Sequence, residues 1–197
     1  MGWNTKERLM VINDPHFFAR DTVKVAHDLI GKLLVHKCGQ IILSGIIVET
    51  EGYRGSDDPA SHAYRVKTNR NAPMFGPVGC AYVYFVYGNH FCFNVVAKSS
   101  DQDAGAVLIR ALKPIEGIEQ MIMNRNYGDQ KIIANGPGKL TQALGISREH
   151  NGCNLLTSES LYLMDPGDFN INHIKTSGRI GIRVAQERPW RFYLSRS

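Results

Sequence analysis

Glu49 and Glu51 are the residues of this sequence best suited to acid–base chemistry. They follow the apolar run Ile46-Ile47-Val48 and lie two residues apart, with Tyr53 two residues further on and His62 across the next loop. Residues i and i+2 of a β-strand share a face, so we expect both carboxylates to point the same way. A carboxylate in a partly apolar, aromatic pocket is suited to hold and deprotonate a water molecule. The alternative is a solvated strand end that happens to carry two acids.

The aromatic stretch from Ala81 to Val96 predicts a β-hairpin. Aromatic and β-branched side chains suit a pleated, half-buried surface, and Gly88-Asn89 can supply the positive φ values of a tight turn. Tyr87 and His90 would then flank the tip. A large aromatic side chain at an exposed tip is well shaped to enter a stacked nucleic-acid duplex. An ordinary core hairpin, in which Tyr87 folds back onto its neighbours, is the alternative.

The distribution of charge points to a polyanionic partner more clearly than the net charge of +5 does. No Asp or Glu occurs from Pro59 to Ser100, the segment that contains the hairpin, although this segment carries Arg65, Lys67, Arg70 and Lys98. A second basic cluster, near the end of the sequence, consists of Lys175, Arg179, Arg183, Arg188, Arg191 and Arg196. Phosphate contacts supply most of the non-specific affinity for nucleic acids, so this pattern is typical of a nucleic-acid-binding surface.

The segment Gly136-Pro137-Gly138-Lys139-Leu140 does not satisfy the pattern of a nucleotide-binding phosphate loop. Ile133 stands where that pattern needs glycine, and its last position is Leu instead of Ser or Thr. Lys139 lies at the start of a predicted helix, where it can still meet a backbone phosphate. A surface lysine without a ligand is equally compatible with the sequence.

Cysteine usage and hydropathy exclude several classes of protein. The four cysteines stand far apart and form no C-x-x-C pair, which argues against a zinc cage or a disulfide framework and favours a reducing compartment. His62 has no second His or Cys at metal-ligand spacing, so we predict no metal and no cofactor. The first eight residues carry charge where a signal peptide needs an apolar run, and no apolar segment could span a bilayer. We expect a protein of the cytoplasm, the bacterial nucleoid or the nucleus.

The elements that must position these residues are those of a single α+β domain over residues 1–197. We predict a mixed, curved, antiparallel-rich sheet flanked by helices, with a protruding β-hairpin. Helices are predicted from the N-cap Asp21 to Gly31, from Pro114 to Gly128 and from Pro137 to Gly145. Besides the hairpin, strands are predicted at Lys32–His36, Ile41–Leu43, Ile46–Val48, Ala106–Ala111, Leu161–Met164, Arg179–Val184 and Trp190–Leu194. Arg110 would end its strand, where it either faces solvent or reaches into a site.

Several sequence blocks, taken in order, resemble the alkyladenine DNA glycosylases, the 3-methyladenine DNA glycosylase family that includes the human enzyme. The matching blocks cover nearly the whole chain: Ile47–Tyr53, Ala60–His62, Thr68–Asn71 with Met74-Phe75, Tyr82–Tyr84 through Tyr87-Gly88 to Asn94, Val107–Ala111, Asn135–Leu140, Arg179–Ile182 and Pro189–Tyr193. The resemblance implies a fold similar to the C-terminal domain of formyltransferases. It also implies a monomer that removes alkylated or deaminated purines, such as 3-methyladenine, 7-methylguanine and hypoxanthine, from double-stranded DNA.

The resemblance implies roles for the residues of the site. Glu51 would be the general base that activates water against C1′ of the extruded nucleotide, and Arg110 would help to hold that water. The pocket residues that contact the damaged base would be Tyr53, His62, Tyr84 and Asn94, the last of which would exclude guanine. The DNA contacts would be Tyr87, as the wedge that fills the gap in the duplex, together with Asn89, His90 and Lys139.

Two further interpretations of the sequence remain open. A non-catalytic RNA- or single-strand-binding module would use Tyr82, Tyr84, Tyr87 and Phe91 as a stacking platform. A hydrolase of free nucleosides would use the same carboxylate on a smaller substrate. If the chain is a DNA glycosylase, no lysine lies close in sequence to Glu51 to form a Schiff base, so hydrolysis without strand cleavage is expected.

Overall fold

The computed structural model of the protein describes residues 10–86, 88, 90–167 and 173–195. The strands in these ranges are β1 Met10–Val11, β2 Leu33–Cys38, β3 Ile41–Arg54, β4 Ala81–Val86, β5 His90–Val96, β6 Gly105–Glu116, β7 Leu161–Asp165, β8 Ile174–Ser177 and β9 Arg191–Leu194. The α-helices are α1 Thr22–Asp28, α2 Ile118–Arg125 and α3 Pro137–Leu144. Short 3-10 helices lie at Pro15–Phe17, Ala72–Phe75, Gln130–Ile132 and Arg148–His150.

The nine strands of the described ranges form one sheet, in which every strand pair is antiparallel. Their order is β1-β7-β2-β3-β6-β5-β4, and β9 pairs with both β3 and β8. The predicted α+β class is confirmed. The predicted mixture of parallel and antiparallel strands is wrong for this part of the chain, because hydrophobic periodicity reveals strands but not their direction. None of the described helices is both long enough and apolar enough to cross a membrane.

The strand β3 is the longest and carries the predicted acids. Its first half pairs with β2 and its second half with β9, while β6 pairs along its other edge. Register shifts interrupt the β3–β6 ladder between Ile47 and Glu49 and between Glu49 and Thr50. Such bulges re-aim side chains and are frequent beside active sites. Glu51 follows directly and lies between Leu108 of β6 and Arg191 of β9.

The helix α1 is fixed at its start and tied to β3. Asp21 Oδ1 accepts hydrogen bonds from the backbone N–H groups of Val23 and Lys24 at 3.0 and 3.1 Å. These bonds satisfy donors that a helix leaves free in its first turn, so the predicted N-cap is confirmed. The Thr50 hydroxyl donates to the carbonyl oxygen of Ala26 at 2.6 Å, which joins the helix to the strand beside Glu51.

The two strands of the predicted hairpin are confirmed. β4 and β5 pair in register from Ala81 opposite Val95 to Val86 opposite His90. Gly88 has a φ of 76°, as expected for the turn between them. The two other turn residues, Tyr87 and Asn89, lie outside the described residues.

Three predicted boundaries are wrong. Pro114 does not begin a helix: it lies in β6 opposite Gly45, at a register shift where the missing proline N–H is tolerated, and α2 begins at Ile118. Since β6 continues to Glu116, Arg110 lies in the middle of its strand and not at the end. β3 is likewise continuous through Gly45, where a bulge replaces the predicted interruption.

Residues 179–184 form a bent loop instead of the predicted strand. Within this loop Arg179 is 5% exposed, whereas the next residue, Ile180, is 48% exposed. Gly181, with a φ of 79°, bends the chain at this point.

Candidate active site

Glu51 is fully buried, and three hydrogen-bond donors converge on its carboxylate. The Tyr53 hydroxyl donates to Oε2 at 2.7 Å, and Arg110 Nη1 donates to the same oxygen at 3.2 Å. The backbone N–H of Ile180 donates to Oε1 at 2.7 Å. A carboxylate has about four acceptor positions, so about one is left for a further donor such as a water molecule.

Arg110 links Glu51 to the other acid of β3. Its Nε donates to Glu49 Oε1 at 2.9 Å, and Arg191 Nε of β9 donates to the same oxygen at 2.7 Å. Burial lowers the pKa of Arg110, but the charges of Glu51 and Glu49 outweigh burial and leave this pKa above its ordinary value. The two carboxylates thus approach one guanidinium, as expected for side chains that point the same way.

A pocket of about 550 Å³ opens beside these groups. Its volume is in the range of small-molecule binding sites. Glu51 is not among the lining residues, but the three residues that donate to it are: Tyr53, Arg110 and Ile180. The pocket is therefore the place from which a reacting group would approach the carboxylate.

Tyr82, Tyr84 and His62 form an aromatic wall of this pocket. The ring centroids of His62 and Tyr84 are 4.7 Å apart, and those of Tyr82 and Tyr84 are 5.0 Å apart. His62 Nδ1 lies 3.0 Å from the Tyr82 hydroxyl. The guanidinium carbon of Arg70 lies 5.5 Å from the centre of the Tyr84 ring, within the range of a cation–π contact.

The rings of the pocket are neutral near pH 7. Burial raises the pKa of Tyr82 to about 12. Burial also raises the pKa values of Tyr53 and Tyr84, and for Tyr53 the charge of Glu51 adds to this effect. The pKa of His62 is lowered because the surrounding rings shield it from water and because Arg70 repels its charged form. Each ring therefore presents an uncharged face or edge to the pocket.

Asn94, predicted to contact the base, also lines the pocket and is 3% exposed. Its Nδ2 donates to the carbonyl oxygen of Tyr82 at 2.9 Å, which fixes the amide on the paired strands β4 and β5. Its orientation is therefore set by the hairpin backbone rather than by a mobile neighbour.

Two of the predicted DNA contacts come together where β5 begins and α3 starts. A side-chain carbon added to Gly138 would lie 2.9 Å from Cβ and Cγ of His90, so the imidazole packs directly on the first turn of α3. Lys139, the next residue, donates from Nζ to Asn135 Oδ1 at 2.8 Å. Pro137 of the same turn lines the pocket. The predicted contacts Tyr87 and Asn89 lie outside the described residues.

The sequence analysis did not identify Asp58, Arg179 or Ile180 as site residues. Asp58 and Arg179 form an ion pair in which neither side chain has exposed surface. Arg179 had been counted in a basic cluster expected to face a polyanion, as had Arg191, which binds Glu49. The only indication in the sequence that this loop belongs to the site was the family resemblance of the block Arg179–Ile182. Composition alone cannot distinguish an internal arginine from a surface one.

The described residues contain no group of three or more His, Cys, Asp or Glu side chains arranged to hold a metal ion. Cys38, Cys80, Cys92 and Cys153 are free thiols. The groups at the pocket include the donors to the Glu51 carboxylate, the aromatic wall and the Cys92 thiol.

Comparison with known proteins gives the class to which this site belongs. The family model for methylpurine-DNA glycosylase matches residues 16–197. A protein of Methanoculleus marisnigri, named "Putative 3-methyladenine DNA glycosylase", is 47% identical over 92% of this chain and 94% of its own length. Proteins with the same name from Carboxydothermus hydrogenoformans and Koribacter versatilis are 46% and 44% identical over 90% and 92% of this chain, and over 92% and 88% of their own lengths.

These similarities extend over almost the whole chain and define a DNA glycosylase of base-excision repair. The chain belongs to the methylpurine-DNA glycosylase family. The family resemblance predicted from the sequence blocks is thereby confirmed.

Proposed function

We propose that this protein extrudes an alkylated or deaminated purine from double-stranded DNA and hydrolyses its N-glycosidic bond with a water molecule activated by Glu51. The observation that carries the proposal is the buried Glu51 carboxylate, with three donors on it, directly behind an aromatic pocket. Family membership supports the reaction class. On this proposal residues 1–197 form one glycosylase domain with a fold similar to the C-terminal domain of formyltransferases, and the enzyme acts as a monomer.

The aromatic wall is suited to a flipped base. A base inside the stack cannot be reached, so the enzyme must extrude it at a cost of a few kcal/mol. Stacking on rings such as Tyr53, Tyr84 and His62 returns roughly 1–3 kcal/mol per base. Electron-rich ring faces also attract the positive charge of an N3- or N7-alkylated purine. Asn94, held by the carbonyl oxygen of Tyr82, would disfavour the exocyclic amino group of guanine. 7-Methylguanine carries the same group, but its cationic base leaves readily.

Glu51 would act as the general base. The water uses the remaining acceptor position of the carboxylate and attacks C1′ with its oxygen, while one of its protons passes to Glu51. The bond between C1′ and the base nitrogen breaks, and the base leaves with the bonding electrons. The negative carboxylate also stabilises the oxocarbenium-like charge on the sugar. General-base assistance of this kind contributes typically about 10²- to 10⁴-fold in rate.

Arg110 would keep Glu51 and the water in the reactive arrangement. It bonds both acids of β3 and lines the pocket, so it can contact a nucleotide that enters. Among the described residues that line the pocket there is no lysine. Without an amine to form a Schiff base, the expected product is an abasic site in an intact strand.

The hairpin and the start of α3 would bind the duplex. Tyr87 would fill the space left by the extruded nucleotide, with Asn89 beside it. His90 and Lys139 would contact the groove and the backbone next to the lesion, because His90 packs on Gly138, which lies between Lys139 and the pocket-lining Pro137 in the chain.

The experiment is single-turnover base release from duplexes that contain one lesion each: 3-methyladenine, 7-methylguanine or hypoxanthine. Wild type should release at least one of these bases and leave the strand uncut, whereas Glu51→Gln should bind the same duplex but release it about 10²- to 10⁴-fold more slowly. Glu149→Gln, at an exposed position, is the matched control and should behave as wild type.

Other outcomes would contradict the proposal. If wild type and Glu51→Gln release no base but bind single strands tightly, the protein is a binding module. If free nucleosides are hydrolysed as fast as lesions in duplexes, and added salt has no effect, the substrate is not DNA, because duplex binding falls steeply with salt.

A further inference from the structure

Asp58 and Arg179, 121 residues apart in the chain, form an ion pair in which neither side chain has exposed surface. The pair is bidentate: Arg179 Nη2 donates to Asp58 Oδ1 at 2.7 Å and Nη1 donates to Oδ2 at 2.5 Å. Removing two charges from water is costly, and such pairs are often no more stabilising than apolar residues of the same size. The pair therefore calls for an explanation other than stability.

Arg179 contacts the two residues that follow the proposed general base in β3, and the next residue after Arg179 contacts the base itself. Through the adjacent backbone N–H of Ile180, its segment donates to Glu51 Oε1. Its Nη1 donates to the carbonyl oxygen of Gly52 at 3.0 Å. Its guanidinium carbon lies 4.6 Å from the centre of the Tyr53 ring, a cation–π contact behind the ring that donates to Glu51.

The loop of residues 179–190 also contacts Gly52 of β3 at its other end, through Trp190. The backbone N–H of Gly52 donates to the carbonyl oxygen of Trp190 at 2.9 Å. The indole of Trp190 lies 4.9 Å from the guanidinium carbon of Arg179. Loop 179–190 is thus anchored at both ends on Gly52, and its middle residues Ile182, Arg183 and Val184 line the pocket.

We infer that Asp58 and Arg179 are positioning residues for catalysis: together they hold the Ile180 amide on Glu51 and the Tyr53 ring against the pocket, and so keep the base aimed at C1′. This inference rests on the proposed function. Neither residue needs to touch the substrate. Asp58 fixes Arg179, Arg179 fixes the start of loop 179–190, and the loop supplies one of the three donors that orient the Glu51 carboxylate.

Two variants each remove a different contact in the series that connects Asp58 with Glu51. Arg179→Lys keeps the positive charge but loses the bidentate contact with Asp58 and the flat group on Tyr53. Ile180→Pro removes the N–H that reaches Glu51 without removing either member of the ion pair. The control is Arg188→Lys, which makes the same exchange at another arginine stacked on Trp190, 4.6 Å from its ring centre.

The measurements are single-turnover base release and affinity for the lesion duplex. Misplacing a reacting group by about 1 Å can cost on the order of 100-fold in rate, so Arg179→Lys and Ile180→Pro should release base about 10- to 100-fold more slowly. Affinity should stay within about threefold, because the stacking surface is retained. A loss of rate at nearly constant affinity is what misplacement of the Glu51 carboxylate predicts and what a general loss of structure does not. Arg188→Lys should match wild type.

The outcomes separate this inference from the proposed function. If wild type releases no base, the proposed function fails. If wild type is active and Ile180→Pro releases base at the wild-type rate, the inference fails, whether or not Arg179→Lys folds. If affinity and rate fall together in both variants, the pair is only structural and the inference also fails.

Discussion

The Tyr53 hydroxyl donates to Glu51 Oε2 over 2.7 Å, from a position two residues further along the same strand. Residues with this spacing share a face of β3, so the bond needs no loop and no neighbouring strand. One side chain thereby lines the pocket with its ring and orients the buried acid with its hydroxyl. The ring that lines the pocket and the buried acid are consequently joined within one strand.

Tyr53→Phe separates these two functions of Tyr53. The ring remains available for stacking, but Glu51 loses its shortest side-chain donor. A hydrogen bond to a charged group is worth about 1.5–3 kcal/mol, so we expect base release to slow by about 10- to 100-fold with little change in duplex affinity. Single-turnover rates and binding to the lesion duplex check this, with Tyr162→Phe, at a buried position on β7, as the control. A loss of affinity equal to the loss of rate would contradict it.

Arg179→Met should be strongly destabilising, because it leaves the buried Asp58 carboxylate without its partner. Breaking a buried pair in this way costs about 3–5 kcal/mol. The matched control is Arg20→Met, which breaks a pair with Asp28 whose side chains are 39% and 38% exposed and should cost at most about 1 kcal/mol. Urea unfolding of both variants measures the difference. Equal losses of unfolding free energy would show that the Asp58 pair is not effectively buried.

Local patterns predicted the parts of the fold that depend on local physics. The N-cap Asp21, the paired strands of the hairpin and the end of α3 at Gly145 all follow from residue types within a few positions. Pro114 misled because a fixed φ suits the first turn of a helix and a strand bulge alike. Only the tertiary pairing with Gly45 decides between them.

The site was predictable where its residues lie on one strand. Glu49, Glu51 and Tyr53 follow one another at a spacing of two, so their common face could be inferred from the sequence. Asp58 and Arg179 could not be paired in this way, because 121 residues separate them and nothing local marks an arginine as internal. The bond between the Ile180 amide and Glu51 was invisible for a further reason, since a backbone donor leaves no trace in residue type.

His150 should make stability fall at acidic pH. Its Nε2 lies 3.0 Å from His36 Nε2, while His36 Nδ1 donates to the carbonyl oxygen of Leu144 and His150 Nδ1 accepts from the N–H of Ser147. The proton between the two rings is therefore on His150 Nε2, and a second proton on His150 would have to go to Nδ1, where it would face the N–H of Ser147. Burial, and then His36, lower the pKa of His150 below its ordinary value, and the nearby Glu149 only partly opposes this.

The sign of this effect follows from proton binding. With a lowered pKa in the folded state, the unfolded state binds more protons as the pH falls through about 6.5, the ordinary value for histidine. The stabilising contribution is therefore present above that pH and is lost below it. Between about pH 7.5 and about pH 5.5, we expect the free energy of unfolding to decrease less in His150→Gln than in wild type. Urea unfolding of both proteins at the two pH values measures this difference. Parallel pH curves for the two proteins would contradict this.

Tyr87→Ala tests the proposed wedge. An inserted aromatic offsets part of the cost of unstacking, a cost that arises in a duplex and hardly at all in a single strand. We expect base release from a lesion in duplex DNA to fall far more than release from the same lesion in a single strand. The ratio of the two single-turnover rates is the measurement, with Phe85→Ala, at an exposed position on β4, as a neighbouring control. Equal losses on both substrates would remove Tyr87 from this role.

Gly138→Ala tests the contact between α3 and the start of β5. Alanine in place of glycine normally stabilises a helix by about 0.5–1 kcal/mol. At this position the added methyl group would lie 2.9 Å from Cβ and Cγ of His90, so the imidazole or the strand must move. We expect no gain in melting temperature and weaker binding to the lesion duplex. In a His90→Gly background the obstructing atoms are absent, so the same Gly138→Ala exchange should become stabilising. If Gly138→Ala changes stability equally in both backgrounds, His90 does not pack on the helix, and the proposed joint DNA contact of His90 and Lys139 loses its structural basis.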